Sequence, residues 1–395
     1  MFTDLIKNFE KKIIHIIFLY LTLATLISWY INSNIPIIHE ARILSFTTLR
    51  LNILFPIIGI LILCVAKFFL KDIYQIYVFL KKNSDTIVIF ILHFSYLFFV
   101  IWGIMNSWLT YEIGYALSII SSCICIMYND IKKKYIGIHI LVHFLLLYLL
   151  SGNLWALILF AITIFTYIFR NEKTTLLFLI IFSCIGLQLY KSSWDQEVYY
   201  KHIGHDNKLV QNFIIDGNNI DKEKYINIKY ELLVSDNQIP GFSDAAISEK
   251  NELLKDISNI EIEYLMPDNY TNEYILTYLF VKNRILMLIF TIMSLFMIKF
   301  MYKYCFSFGI KQSWKLFLAT NIFSIKQLSY IISNFGYSIG ENMDLFFMSS
   351  NYIYFIIDIF AILLIIASVI EFKYNCNITN KHDEYSINTI IFSKF

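Results

Sequence analysis

The residues best suited to chemistry in this sequence are carboxylates that lie just before an apolar segment. The stretch from Glu261 to Ile275 contains Glu263, Asp268 and Glu273, and it runs directly into that segment. A carboxylate held within hydrogen-bond reach of a substrate can act as a general base. If the protein is an enzyme, we therefore expect its reaction at this boundary between a polar loop and a membrane helix.

The rest of the chain is apolar enough to exclude a soluble domain. Of its 395 residues, 58% are hydrophobic and only 16% are charged. Apolar windows of about 17–25 residues indicate membrane-spanning helices. Ten such windows lie near 13–31, 51–70, 86–105, 113–128, 136–151, 154–169, 175–191, 274–301, 315–335 and 350–372. The sequence thus predicts an all-α, polytopic membrane protein with about ten transmembrane helices.

The lysine and arginine residues of the short loops predict the orientation of these helices. Those of the N-terminal tail, of 71–82, 132–134, 170–173 and 303–311 fall on one side if the spans alternate. That side is expected to be cytoplasmic. The prediction is therefore seven helices in 1–191, an extracytoplasmic loop at 192–273, three helices in 274–372 and a cytoplasmic tail at 373–395. Both termini are expected in the cytoplasm.

The long loop at 192–273 is strongly acidic. It holds 16 Asp and Glu residues against 7 Lys and Arg residues, which suits the outer side of the membrane. Ala246, Leu253, Leu254, Ile257 and Ile260 recur at helical spacing, while the charged residues between them fall largely elsewhere. This pattern predicts an amphipathic helix that lies on the membrane surface or covers a cavity.

Four charged residues stand out because they lie well inside the predicted spans, where an unpaired charge is costly. Lys326 and Asp358 belong to neighbouring antiparallel spans, and we predict that they form a structural ion pair. Lys282 and Arg284 follow the carboxylate-rich stretch and would suit a pyrophosphate group. The alternative for these two is ordinary ion pairing, or extension of their long side chains toward the surface.

The arrangement resembles the SEDS (shape, elongation, division and sporulation) family, the FtsW, RodA and SpoVE group of peptidoglycan polymerases. That family has ten spans and a large outer loop between the seventh and eighth. The loop motif is matched by Glu263-Tyr264-Leu265, Pro267-Asp268 and Thr271. Further on, Gln327, Asn334-Phe335-Gly336 and the box from Leu345 to Ser349 are similar to three more family motifs.

The resemblance implies a glycosyltransferase in the bacterial cytoplasmic (inner) membrane that polymerises lipid II into peptidoglycan glycan strands during cell division or elongation. The family's catalytic Asp corresponds to Asn272 when the motif is aligned on Pro267, and to Glu273 when it is aligned on the helix start. Glu273 is the candidate base, with Glu263 and Asp268 as supporting carboxylates. Substrate contacts are assigned to these residues: Lys282, Arg284, Gln327, Asn334 and Ser349.

The resemblance also implies partners. These are an undecaprenyl-pyrophosphate-linked substrate, a class B penicillin-binding protein and membrane lipids, with no nucleic acid. No metal ligands are assigned, and the cofactor is left open, a divalent cation included. Three alternative functions stay open: a catalytically inactive SEDS-like scaffold for the penicillin-binding protein, another lipid-linked glycan ligase or polymerase, and a transporter of lipid-linked sugars.

Overall fold

The computed structural model describes residues 2–33, 46–69, 91–98, 100–101, 111–131, 136–151, 154–168, 221–228, 273–336, 343–349 and 351–392, together with a few isolated positions. Within these ranges every regular element is a helix, and no strand is present. The all-α class predicted from the sequence is thus confirmed for the described part of the chain.

Nine helices are defined from their first to their last residue in this part of the chain. They are α1 (Phe2–Ser33), α2 (Phe46–Phe68), α3 (Tyr111–Ile131), α4 (Ile136–Ser151), α5 (Leu154–Ile168), α6 (Ile275–Lys282), α7 (Arg284–Phe308), α8 (Trp314–Asn334) and α9 (Tyr352–Phe392). Further helical residues lie at 91–98 and 222–228. Helix α9 continues through most of the segment predicted as a tail.

Three helical segments are long and apolar enough to cross a membrane: Lys11–Ser33, Arg284–Phe308 and Tyr352–Phe372. Shorter apolar segments lie in α2, α3, α4 and α5. Large apolar side chains such as Trp29, Phe68 and Ile285 are mostly exposed on the outside of the bundle. Because water disfavours such a surface and lipid does not, these helices mark the chain as a membrane protein.

The described helices overlap predicted apolar windows, and besides the extension of α9 one window is divided. The window at 274–301 forms two helices, α6 and α7, which are separated at Asn283. Asn283 has an extended backbone (φ −153°), and its side chain accepts a hydrogen bond from the amide of Leu286. Asparagine is a preferred helix N-cap, so this residue starts α7 as a new helix. The window at 175–191 lies outside the described residues.

The predicted amphipathic helix is described only at 251–252 and 254–257. Leu254 and Ile257 are partly buried and pack against the core, whereas Lys255 and Asp256 are exposed. The burial of these four residues agrees with the predicted apolar stripe. Ala246, Leu253 and Ile260 lie outside the described residues.

Helix α8 is the centre of the bundle. Every residue from Leu316 to Gln327 is buried, although many of these side chains are polar. Asn321 accepts a hydrogen bond from Tyr302 of α7 (2.7 Å) and donates one to Thr163 of α5 (2.9 Å). Tyr115 of α3 donates to the carbonyl of Ile322 (3.1 Å). Within a membrane, hydrogen bonds of this kind supplement van der Waals packing between helices, so α8 joins three other helices by polar contacts.

Residues 343–349 form a buried, non-helical segment between α8 and α9. All seven side chains are buried, Asp344 being the most exposed at 8%. A turn is closed by the amide of Met348, which donates to the carbonyl of Leu345 (3.1 Å). Irregular backbone at membrane depth is tolerated only where it is surrounded by protein or lines a water-filled cavity. Here the surrounding helices supply that cover.

Candidate functional site

The candidate site begins where the acidic loop enters α6. The side chain of Asn334, at the end of α8, donates to the carbonyl of Glu273 (2.8 Å) and accepts from the amide of Thr277 (3.1 Å). The hydroxyl of Tyr330 accepts from the amide of Ile275 (2.7 Å). The first amides of a helix have no intrahelical partner. Asn334 and Tyr330 satisfy two of them and thereby fix the backbone that carries Glu273.

A second polar cluster lies where α9 begins. Ser349 is fully buried and donates to the carboxylate of Asp344. The hydroxyl of Ser349 also accepts from the amide of Asn351 (2.8 Å), and the side chain of Asn351 donates to Glu112 at the start of α3 (2.7 Å). We call the end of the bundle where α3, α6 and α9 begin and α8 ends the junction end.

The two clusters share an electrostatic environment. Glu273 and Asp344 both lie near the hydroxyl of Tyr330, although they are 71 positions apart in the chain. Glu273 itself is only partly buried. The junction end therefore holds acidic groups of two kinds: one that is accessible at the helix start and one that is enclosed.

Gln327 and Tyr20 connect the site to the buried segment 343–349. The side chain of Gln327 donates to the hydroxyl of Tyr20 (2.6 Å), which donates to the carbonyl of Phe346 (3.2 Å). Both side chains are fully buried. The oxygen of the Gln327 amide has no hydrogen-bond partner among the described residues. In this structure Gln327 acts through Tyr20 to hold a backbone carbonyl.

The predicted ion pair between Lys326 and Asp358 is formed. The ammonium nitrogen lies 2.7 Å from one carboxylate oxygen, and both side chains are fully buried. The second oxygen accepts from the amide of Phe347 (2.7 Å), and the ammonium also lies 4.9 Å from the ring centre of Tyr354. Phe347 has a strained, left-handed backbone (φ 62°). Asp358 therefore stabilises the turn at Phe347 in addition to pairing with the charge of Lys326.

Lys282 and Arg284 lie on either side of the break at Asn283. Both side chains are exposed. The guanidinium of Arg284 stacks on the ring of Phe280 (4.9 Å) and donates to the carbonyl of that residue (3.3 Å). Of the four charged residues singled out from the sequence, Lys326 and Asp358 thus form a buried pair, whereas Lys282 and Arg284 are exposed cations.

The remaining predicted site residues fall into two groups. Asn334 and Ser349 are buried and hydrogen-bonded within the protein, as is the amide nitrogen of Gln327, so the structure gives these residues positioning contacts, and substrate contact by them stays a prediction. Glu263 and Asp268 lie outside the described residues. Among the residues that are described, no group of three His, Cys, Asp or Glu side chains could hold a metal ion.

Several residues of the site were missed by sequence reasoning. Tyr20, Glu112, Tyr330 and Asp344 all make buried or partly buried polar contacts here. Asp344 directly precedes the Leu345 to Ser349 box, and an acid beside that box is a signal that could have been found. The tyrosines give no such signal, because the chain contains 28 of them.

No family model, curated protein or solved structure matches the chain.

Proposed function

We propose that this protein is a SEDS-like membrane glycosyltransferase that polymerises lipid II in the bacterial cytoplasmic membrane. One observation carries the proposal: residues that the resemblance singles out separately along the chain are joined by hydrogen bonds. Asn334 holds the backbone of Glu273 across 61 positions. Gln327 reaches the Leu345 to Ser349 box through Tyr20. A shared site would require contacts of this kind between the motifs.

The proposed topology is ten spans with both termini in the cytoplasm and the acidic loop outside. On this orientation the junction end faces the outer surface, where the loop carries its excess of acidic residues. Exposed lysines such as Lys67, Lys303 and Lys311 gather at the opposite, cytoplasmic end. An acceptor and a lipid-linked donor would then meet at the start of α6.

In the proposed reaction, Glu273 takes the proton of a sugar hydroxyl as that oxygen attacks the anomeric carbon of the lipid-linked donor. The bond from that carbon to the pyrophosphate breaks, and the pyrophosphate leaves with both bonding electrons. A hydroxyl is a poor nucleophile at neutral pH, so removal of its proton is the step that most needs the protein. The exposed cations of Lys282 and Arg284 would stabilise the charge on the leaving group.

The fixed backbone at Glu273 matters for this step. General-base catalysis requires the carboxylate to lie within about 2.6–3.2 Å of the proton donor. The hydrogen bonds from Asn334 to Glu273 and from Ile275 to Tyr330 limit movement of the helix start. Asn334 and Tyr330 would therefore act on this step by positioning the backbone that carries Glu273.

The test replaces Glu273 by Gln, which keeps size and hydrogen bonding but removes the base. Polymerisation of lipid II by the purified protein, with its penicillin-binding partner present, is expected to fall by about 10²-fold or more. The matched control is Glu252→Gln, which removes an exposed acid from the same loop. Retention of full activity in the Glu273 variant, with wild-type behaviour of the control, would contradict the proposal.

An inactive scaffold is the second candidate, and Asn272 favours it. When the loop motif is aligned on Pro267, Asn272 occupies the position of the family's catalytic Asp. A scaffold would bind a class B penicillin-binding protein and show no polymerisation of its own. Restoring an acid through Asn272→Asp is expected to create activity only if this alignment is the correct one.

A further inference from the structure

A second acid, Asp344, lies in the part of the junction end that holds the candidate base. Asp344 is only 8% exposed, whereas Glu273 is partly buried. Both acids lie near the hydroxyl of Tyr330. That hydroxyl accepts a hydrogen bond from the amide of Ile275, the first residue of α6 (2.7 Å). An enclosed acid and a more accessible acid are therefore placed at the start of the same helix.

The position of Asp344 is fixed from within the protein. The hydroxyl of Ser349 donates to the carboxylate of Asp344 and accepts from the amide of Asn351 (2.8 Å). The side chain of Asn351 in turn donates to Glu112 of α3 (2.7 Å). Ser349 is fully buried, and its hydroxyl is engaged on both sides. Ser349 is therefore placed to orient Asp344.

The charge of Asp344 bears on how strongly its neighbours hold a proton. A carboxylate that accepts a hydrogen bond, as Asp344 does from Ser349, is stabilised in its charged form. A charged acid in turn makes it harder for a second acid nearby to lose its proton. A negative charge on Asp344 should therefore strengthen the binding of a proton by Glu273.

Other titratable groups face this point from the neighbouring elements. They are Tyr330 of α8, Glu112 of α3 and Asp358 of α9. Tyrosine is ordinarily neutral at pH 7, since its reference pKa is about 10. Asp358 is held in an ion pair by Lys326 (2.7 Å). Asp344 is thus the described carboxylate that shares the hydroxyl of Tyr330 with Glu273.

We propose that Asp344 serves the candidate site as a fixed negative charge that raises the affinity of Glu273 for a proton. An isolated glutamate, with a pKa of about 4.3, is a weak base, and a general base works best when its pKa is near the working pH. Asp344 acts through Glu273, and Ser349 acts through Asp344. The consequence for catalysis rests on the proposed function, whereas the effect of Asp344 on Glu273 does not.

The first experiment titrates the carboxyl group of Glu273 in the full-length protein in lipid nanodiscs. The side-chain carboxyl carbons of glutamate are labelled with ¹³C for NMR, and the Glu273 signal is the one that Glu273→Gln lacks. Asp344→Asn removes the charge, keeps the size and can still accept from Ser349. It should lower the midpoint of the Glu273 titration by about one pH unit, which is about a tenfold loss of proton affinity. An unchanged or higher midpoint would overturn the proposal.

Matched variants separate the effect of this charge from other effects. Asp344→Glu keeps the charge and should keep the midpoint within about 0.3 pH unit of wild type. Glu252→Gln removes an exposed acid, whose charge is screened by salt, and should do the same. An equal shift in Glu252→Gln and Asp344→Asn would mean that overall charge is responsible, and the proposal would be wrong. If Asp344→Asn does not fold, Asp344→Leu/Ser349→Ala takes its place, because removing both partners of a buried hydrogen bond costs less than removing one.

The second experiment measures polymerisation of lipid II across a range of pH. In Asp344→Asn, the acid limb of the pH–rate profile should move to lower pH together with the titration of Glu273, and the rate above it should fall because the base is weaker. A structural defect alone would lower the rate at every pH and leave the acid limb in place, which would contradict the role given to Asp344. If the titration shifts but the wild type does not polymerise lipid II, the proposed function is wrong and the effect of Asp344 on Glu273 is confirmed.

Discussion

The buried ion pair of Lys326 and Asp358 allows a quantitative prediction. Replacing Lys326 by Met leaves a fully buried carboxylate whose remaining hydrogen bond comes from the amide of Phe347. Removing one partner of a buried pair typically costs about 3–5 kcal/mol. Replacing Asp358 by Asn should cost about 1–2 kcal/mol less, because Asn still accepts from that amide and the ring of Tyr354 still attracts the ammonium.

The double variant Lys326→Met/Asp358→Asn removes both charges and keeps the acceptor for Phe347. We expect it to be more stable than the sum of the single changes by about 2–3 kcal/mol, near the upper end of measured pair couplings. The variant that exchanges the two residues, Lys326→Asp/Asp358→Lys, should regain less stability. A lysine at 358 has only donors, so the swap leaves the amide of Phe347 without an acceptor, at a cost of about 1–3 kcal/mol. Exchanging the two residues should therefore rescue stability only in part.

The assay is unfolding in mixed detergent micelles, followed by circular dichroism, for the four members of the cycle. The control is the same cycle at Lys315 and Glu371, whose side chains are 17% and 18% exposed. Because these side chains are partly exposed to solvent, that coupling should be smaller than the coupling between the two fully buried side chains. If the coupling between Lys326 and Asp358 is no larger than in the control, the reasoning about burial is wrong.

Two further predictions concern packing and the loop junction. An added Cβ at Gly59 would lie 2.8 Å from the ring of Phe347, whereas one at Gly137 meets nothing within 4 Å. Gly59→Val should therefore lower unfolding stability by about 1–3 kcal/mol and Gly137→Val should not, as thermal unfolding can check. Asn334→Ala leaves the amide of Thr277 without its acceptor and should speed hydrogen exchange at the start of α6. Unchanged exchange there would contradict a positioning role for Asn334.

The sequence predicted features that depend on composition and on the cost of burying charge. Uninterrupted apolar windows are sufficient to place helices, because backbone groups within lipid must be satisfied internally. Because an unpaired charge within the membrane is costly, the pairing of Lys326 with Asp358 could also be predicted. The break at Asn283 was not predicted, since one polar residue within a long apolar window gives no periodic signal.

Long-range contacts explain why the site was predicted less well than the fold. Tyr20 is 307 positions from Gln327 and 326 from Phe346, and nothing local to any of them indicates that they meet. Asn334 was predicted to contact a substrate, yet its side chain forms hydrogen bonds with the backbone of Glu273 and Thr277. Residue types indicated where polar chemistry lies, but only the packing shows which groups already have partners.

The contact between Tyr20 and Phe346 also bears on how the protein is assembled during synthesis. The first helix enters the membrane long before Gln327 and, later, the segment 343–349 have been translated, so the hydroxyl of Tyr20 at first has neither Gln327 nor Phe346 as a partner. Contacts of such high sequence separation form late and slow folding. We therefore expect the newly made chain to complete its core only after its last span is inserted, and truncation within α9 to trap α1 in an incompletely assembled, protease-sensitive state.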